Sequence, residues 1–164
     1  MIGKPMQDAI NDQINKELFS SYLYLSMAAH LEARNLPGFA HWMRIQEAEE
    51  REHAMKFYDF VLATGGRVAL KAIEAPKGDW DSLLQLFEEV AVHEAQVTAS
   101  INNLYELALK EKDYPAQVTL GWFITEQVEE EKNAAEIVAG LKMIDAHETA
   151  VLQLDHKLGK RGGD

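Results

Sequence analysis

The chain has no cysteine. Disulfides and thiolate metal sites are therefore excluded, and any metal must be held by oxygen and nitrogen donors. Proline is scarce too, with four in 164 residues, so long uninterrupted helices are open to the chain. No stretch approaches the roughly 20 apolar residues of a membrane span. Met1 to Asp12 are polar and lack the apolar h-region of a signal peptide, so the expected location is cytoplasmic. Positive charge is also in short supply. Sixteen Lys and Arg face 27 Asp and Glu, a formal net charge of −11. That argues against nucleic-acid binding through a basic surface. It fits a soluble protein that attracts cations, although solubility alone would require no more.

Apolar residues make up 47% of the chain, enough for a sizeable core, and the length suits one domain, residues 1–164. Four long segments space their apolar residues alternately by four and three, which predicts helices. The first runs from about Met6 to Ala33, with an inner stripe of Ile10, Ile14, Glu17, Ser21, Tyr24, Ala28 and Leu31. The second, about Gly38 to Thr64, carries Phe39, Met43, Gln46, Glu50, His53, Phe57 and Phe60. The third, about Ser82 to Glu111, carries Leu83, Phe87, Val90, Glu94, Val97, Ile101, Leu104 and Ala108. The fourth, about Pro115 to Lys142, carries Leu120, Phe123, Gln127, Glu130, Ala134, Ile137 and Leu141. A shorter fifth helix is expected from about Ala146 to Leu158, ended by Gly159 and the Gly162-Gly163 pair.

Asn35-Leu36-Pro37-Gly38 and Asp113-Tyr114-Pro115 are short breaks, so each joins antiparallel neighbours. The stretch from Gly65-Gly66 to Asp79-Trp80 is long enough to run the length of a bundle. It would join two helices that point the same way. Two antiparallel pairs and one long crossover make an all-α, ferritin-like four-helix bundle.

Each stripe should be apolar, yet each has acids or amides near its middle. Buried Glu and His are rare without partners, and desolvating one carboxylate costs several kcal/mol. The positions are also related by one offset. Thirty-three residues separate Glu17 from Glu50 and Glu94 from Gln127, and 77 separate Glu17 from Glu94, Glu50 from Gln127 and His53 from Glu130. The two halves therefore superimpose as a pseudo-twofold pair, Glu with Glu-x-x-His against Glu with Gln-x-x-Glu. Glu50 and His53 stand at i, i+3 on one helical face. With Glu17 they make an oxygen and nitrogen site suited to iron, manganese or zinc, and Glu94 with Glu130 makes a second, which Glu50 can bridge. Two divalent cations would neutralise the four carboxylates. Gln127 and Tyr24 would orient ligands or a water.

These residues resemble the haem-free bacterial and archaeal ferritins over nearly the whole chain. The likeness lies in Asn15 to Tyr24, in Glu47 to Met55, in Phe57 to Arg67 with its Gly-Gly, and in Glu126 to Glu131. It implies a ferroxidase that oxidises Fe²⁺ with dioxygen or hydrogen peroxide. Glu17, Glu50 and His53 would hold one iron of a di-iron centre, Glu94 and Glu130 the other, with Glu50 bridging. Gln127 would sit beside the second iron and Tyr24 near the centre. Glu49, Glu126 and Glu129, with Glu130, match a third iron site. The resemblance also implies a homo-oligomeric hollow shell, usually of 24 subunits, that stores ferric oxyhydroxide. Bacterioferritins and rubrerythrins carry a second Glu-x-x-His where this chain has Gln127 and Glu130. Bacterioferritins also place a haem-ligating Met where this chain has Arg51, so no haem is expected.

Two other readings stand beside this one: a di-iron or di-manganese peroxidase that stores no mineral, and a helical scaffold with structural zinc. The competing reading of Glu49, Glu126 and Glu129 is a solvated acidic face. Trp42 and Trp122 read as packing or interface residues. Met6, Met27, Met43, Met55 and Met143 read as core filler. His30, His41, His93, His147 and His156 read as surface or capping groups.

Overall fold

The computed structural model describes residues 1–145 and 147–162. Its helices are α1 (Lys4–Ala33), α2 (Pro37–Ala63), α3 (Leu83–Glu111), α4 (Tyr114–Ile144) and α5 (Glu148–Leu158). The first four form the bundle that the apolar spacing predicts, and α5 is the short C-terminal addition. Ala146 and Gly163, expected at the two ends of the last helical segment, lie outside the described residues.

The two short connections fold through left-handed residues. Asn35 takes φ 58° and lets the Leu36 N–H reach back to the Leu31 carbonyl at 3.1 Å. Lys112 does the same with φ 55°, and the Asp113 N–H reaches the Ala108 carbonyl at 2.9 Å. The Asp113 carboxylate then accepts the Ala116 N–H and caps α4, with Pro115 in its first turn. Both turns reverse the chain at once, so α1 pairs with α2 and α3 with α4.

The end of α2 is different. Gly65 takes φ 76°, the Gly66 N–H closes on the Val61 carbonyl at 2.8 Å, and the chain leaves as an extended strap. The strap climbs α1 in step with it. Gln7 accepts from the Arg67 N–H, Asn11 bonds Arg67 and Ala69, Asn15 donates to the Ala72 carbonyl, and Ser26 donates to the Lys77 carbonyl. Trp80 is buried at the far end, and its indole N–H donates to Glu89 at 2.9 Å. Ser82 then caps α3 by accepting the Gln85 N–H. The strap therefore delivers α3 to the opposite end of the bundle, parallel to α2.

The core has two apolar clusters. One is centred on Met27, Phe39, Trp42, Phe87 and Ile137, the other on Ile10, Ile14, Phe57, Ile101 and Phe123. The buried Glu17, Glu50, Glu94, Gln127 and Glu130 belong to neither, and lie on the same helices between the residues of the two. Three expectations need correction. Leu86 occupies the inner row of α3, while Leu83 is half-buried at the helix start. Phe60 is half-buried near the end of α2. Met55 and Met143 lie on outward faces and are exposed, so they fill no core.

Helix α5 docks on the start of α2 through a specific contact. The buried Asp155 carboxylate accepts the Phe39 N–H at 2.9 Å, satisfying one orphan donor of the α2 N-terminus. Gly38 makes room for it: a Cβ there would lie 1.7 Å from the Asp155 carbonyl oxygen.

Candidate metal centre

Helical spacing brings four helices to one level. Glu17, Glu50 and His53 offer ligand atoms that all lie within 4.8 Å of one another, and all three residues are buried. Gln13, one turn before Glu17, donates its amide to Glu17 Oε1 at 2.9 Å. Glu17 Oε2 has no partner, and neither oxygen of Glu50 has one, although Glu50 is 0% exposed. His53 Nδ1 faces Glu50 Oε2 at 3.6 Å. The edges of Trp122 and Phe123 fix the imidazole plane, with centroids at 5.5 and 5.7 Å, and His53 Nε2 faces Glu126 at 4.0 Å.

The other half is organised by donors. The Tyr24 hydroxyl donates to Glu94 Oε1, and the Gln127 amide donates to Glu94 Oε2 at 3.2 Å. Gln46 donates to Glu130 Oε2 at 2.7 Å across the bundle. Glu94 and Glu130 thus stand on the same buried level, but among the described residues the tight ligand grouping comprises Glu17, Glu50 and His53 alone.

Burial dominates the electrostatics. It raises the Glu17 carboxyl well above the usual range, helped by the charge of Glu50. It raises Glu50 likewise, helped by Glu94. Burial also raises Glu94, against the opposing hydrogen bonds of Tyr24 and Gln127. Glu130 is pushed up to about 7 by burial and then by Glu94. Tyr24 is raised by burial and by Glu94, so its hydroxyl stays a neutral donor. Among the described residues no Lys or Arg pairs with these four carboxylates. Unpartnered buried carboxylate oxygens beside a histidine fit a cation. Glu50 keeps both oxygens free of protein donors. The donor set of carboxylate and imidazole suits iron, manganese or zinc.

The outer acids are placed less tightly. Glu126 is half-buried beside His53, and Glu129 is exposed. Glu49 is half-buried and paired with Arg161 at 2.8 Å, and burial still raises it against the opposing charge of Arg161. His93 is neither a surface nor a capping group. It contacts Ser20 Oγ at 2.8 Å and stands edge-on to Tyr24 at 5.8 Å, and burial lowers its pKa. Sequence reasoning assigned no role to Gln13, Gln46 or Arg161. An amide four residues before a buried Glu was visible in both Gln13-Glu17 and Gln46-Glu50. Nothing in the sequence aimed Arg161, whose position depends on how α5 docks.

A family model described as a ferritin-like domain matches residues 7–144. A bacterial non-heme ferritin from Bacteroides fragilis is 39% identical over 161 residues, covering 98% of this chain and 100% of that one. One from Staphylococcus aureus is 35% identical over 164 residues, covering 100% and 99%. A solved structure described as an open pore ferritin from the hyperthermophilic archaeon Archaeoglobus fulgidus superimposes with TM-score 0.97 at 48% identity, covering 98% of this chain and 99% of that one. An engineered closed form of the same archaeal protein matches with TM-score 0.97 at 48% identity, covering 98% of each chain.

Proposed function

The chain belongs to the ferritin family, and from that premise we propose that it is a ferroxidase subunit of an iron-storing shell, taking Fe²⁺ as substrate. The observation that carries this is Glu50, fully buried, with both carboxylate oxygens lacking protein donors. Glu17, Glu50 and His53 would hold one ion, Glu94 and Glu130 the other, and Glu50 would touch both. Four carboxylates against two Fe²⁺ leave the buried set neutral, which removes the desolvation penalty of either partner alone. Closely held ions suit a two-electron step. Each Fe²⁺ gives one electron, and dioxygen takes both with two protons to yield hydrogen peroxide. Peroxide as oxidant takes two electrons and two protons to yield two waters.

The protein residues fix the geometry of this step. Gln13 and Gln46 each occupy one oxygen of Glu17 and Glu130 respectively. Tyr24 and Gln127 hold Glu94, and the aromatic edges of Trp122 and Phe123 hold His53. Such neighbours orient ligands and tune affinity. Glu49, Glu126 and Glu129 are proposed to receive a further iron on its way to storage as ferric oxyhydroxide, with 24 subunits the expected count for the shell.

The test is Fe²⁺ added to the metal-free protein in air, followed by ultraviolet absorbance of ferric product. We expect a fast phase of two Fe²⁺ per subunit, lost in Glu50→Ala and in His53→Ala. Equal initial rates in parent and variants would overturn the assignment.

A further inference from the structure

The end of α5 and residues 159–162 lie along the first half of α2. Asp155 accepts from the Phe39 N–H, His41 meets the Arg161 carbonyl at 2.9 Å, and a Cβ on Gly162 would touch Ile45 at 3.5 Å. This lays the Arg161 side chain over three successive turns of α2. Its guanidinium stands 5.0 Å above the Trp42 ring, donates to Gln46 Oε1, and donates to Glu49 at 2.8 Å. Three partners at i, i+4 and i+7 hold a side chain only a quarter exposed.

The contact with Gln46 has a chemical direction. A guanidinium has donors and no acceptor, so the Gln46 oxygen must face Arg161. The Gln46 amino group must then face the other way. There it donates to Glu130 Oε2 at 2.7 Å, and Gln46 is 1% exposed, so no water competes for either end. Without Arg161 nothing on that side fixes which end of the amide meets Glu130, and the oxygen end would repel the carboxylate.

We propose that Arg161 is a positioning residue of the metal centre, acting through Gln46 to hold the Glu130 carboxylate ready for the second ion. This rests on the metal-centre reading given above and extends it to the segment beyond α5. The effect is confined to one half of the site. Glu17 is oriented by Gln13, whose own oxygen accepts from Ser100, and neither touches the Arg161 chain of contacts.

Zinc titration calorimetry on the metal-free full chain tests this with a redox-inert probe. The parent should show two Zn²⁺ events per subunit that depend on Glu50, distinct from any binding at Glu49, Glu126 and Glu129, and Glu130→Gln should identify the second of them. Arg161→Gln should weaken that event alone by roughly 10- to 100-fold, the range for loss of an outer-shell partner. Arg161→Lys should fall between, because an ammonium cannot reproduce the planar fork. In a Gln46→Leu background Arg161→Gln should have no further effect on the second event, whereas a merely structural role would leave the two losses additive. An unchanged second event in Arg161→Gln, or equal weakening of both events, would overturn the inference. If Zn²⁺ binding by the parent does not depend on Glu50, the metal-centre reading itself fails. The Glu50→Ala control therefore separates the two failures.

Discussion

At the scale of single residues, the centre is a set of carboxylates that burial keeps reluctant to ionise. Glu130 stands at about 7, against an ordinary carboxyl value of 4.5. Glu17, Glu50 and Glu94 move in the same direction. Between those two values the folded metal-free chain holds more protons than the unfolded chain. Its stability therefore falls as pH rises through the window, and the contribution is fully lost above the folded value. We expect the melting temperature of the metal-free protein to decline between about pH 5 and pH 8, measured by circular dichroism. Zn²⁺ should reverse the slope, because ligands must lose protons to bind it. A metal-free melting temperature that rises across this range would contradict the placement of these acids. Tyr24 belongs to the same scale. Its neutral hydroxyl donates to Glu94, so Tyr24→Phe should weaken the proposed second Zn²⁺ event in calorimetry while leaving the first unchanged.

At the scale of elements, the contact between α5 and α2 carries the C-terminal segment. Gly38 is required by closeness, since a methyl group there would overlap the Asp155 carbonyl. Gly38→Ala should displace α5 and destabilise the chain by about 3 kcal/mol, the upper end for overpacking. The loss should show in chemical denaturation. Because the same displacement carries Arg161 away from Gln46, Gly38→Ala should also weaken the second Zn²⁺ event. Normal zinc binding in a destabilised Gly38→Ala would separate α5 docking from the site. The strap between α2 and α3 is an element of the opposite kind. It is held along α1 by side chains of Gln7, Asn11, Asn15 and Ser26, so its path is set by polar groups rather than by a helix of its own.

At the scale of the whole molecule, the chain leaves apolar surface uncovered. Tyr22 and Leu25 on α1, and Leu70 and Ile73 on the strap beside it, are exposed. Large apolar side chains left open on a helix and on its neighbouring segment suit a subunit contact. Assembly with further copies would cover them. Native mass spectrometry should find the parent as a large particle, and Tyr22→Arg with Leu25→Arg should shift it to smaller species with helix content retained. An unchanged particle mass would place the subunit contacts elsewhere.

The sequence by itself determined the helices, the two short reversals and the level of the polar cluster. Those follow from local rules: apolar period, the short Pro-containing breaks at Asn35 to Gly38 and Asp113 to Pro115, and two repeated spacings that place Glu17, Glu50, His53, Glu94 and Glu130 on inner faces. The amides beside the acids were visible only in part. Gln46 lies on the inner stripe, but its partner Glu130 is 84 residues away on another helix. Only the tertiary structure decided what fills each oxygen, that His93 packs on Tyr24, and that Arg161 lies over Trp42, Gln46 and Glu49. The reason is physical. Periodicity fixes which face of a helix is buried, whereas the partner of a buried polar atom depends on how separate elements dock, and that depends on contacts as local as Gly38 against Asp155.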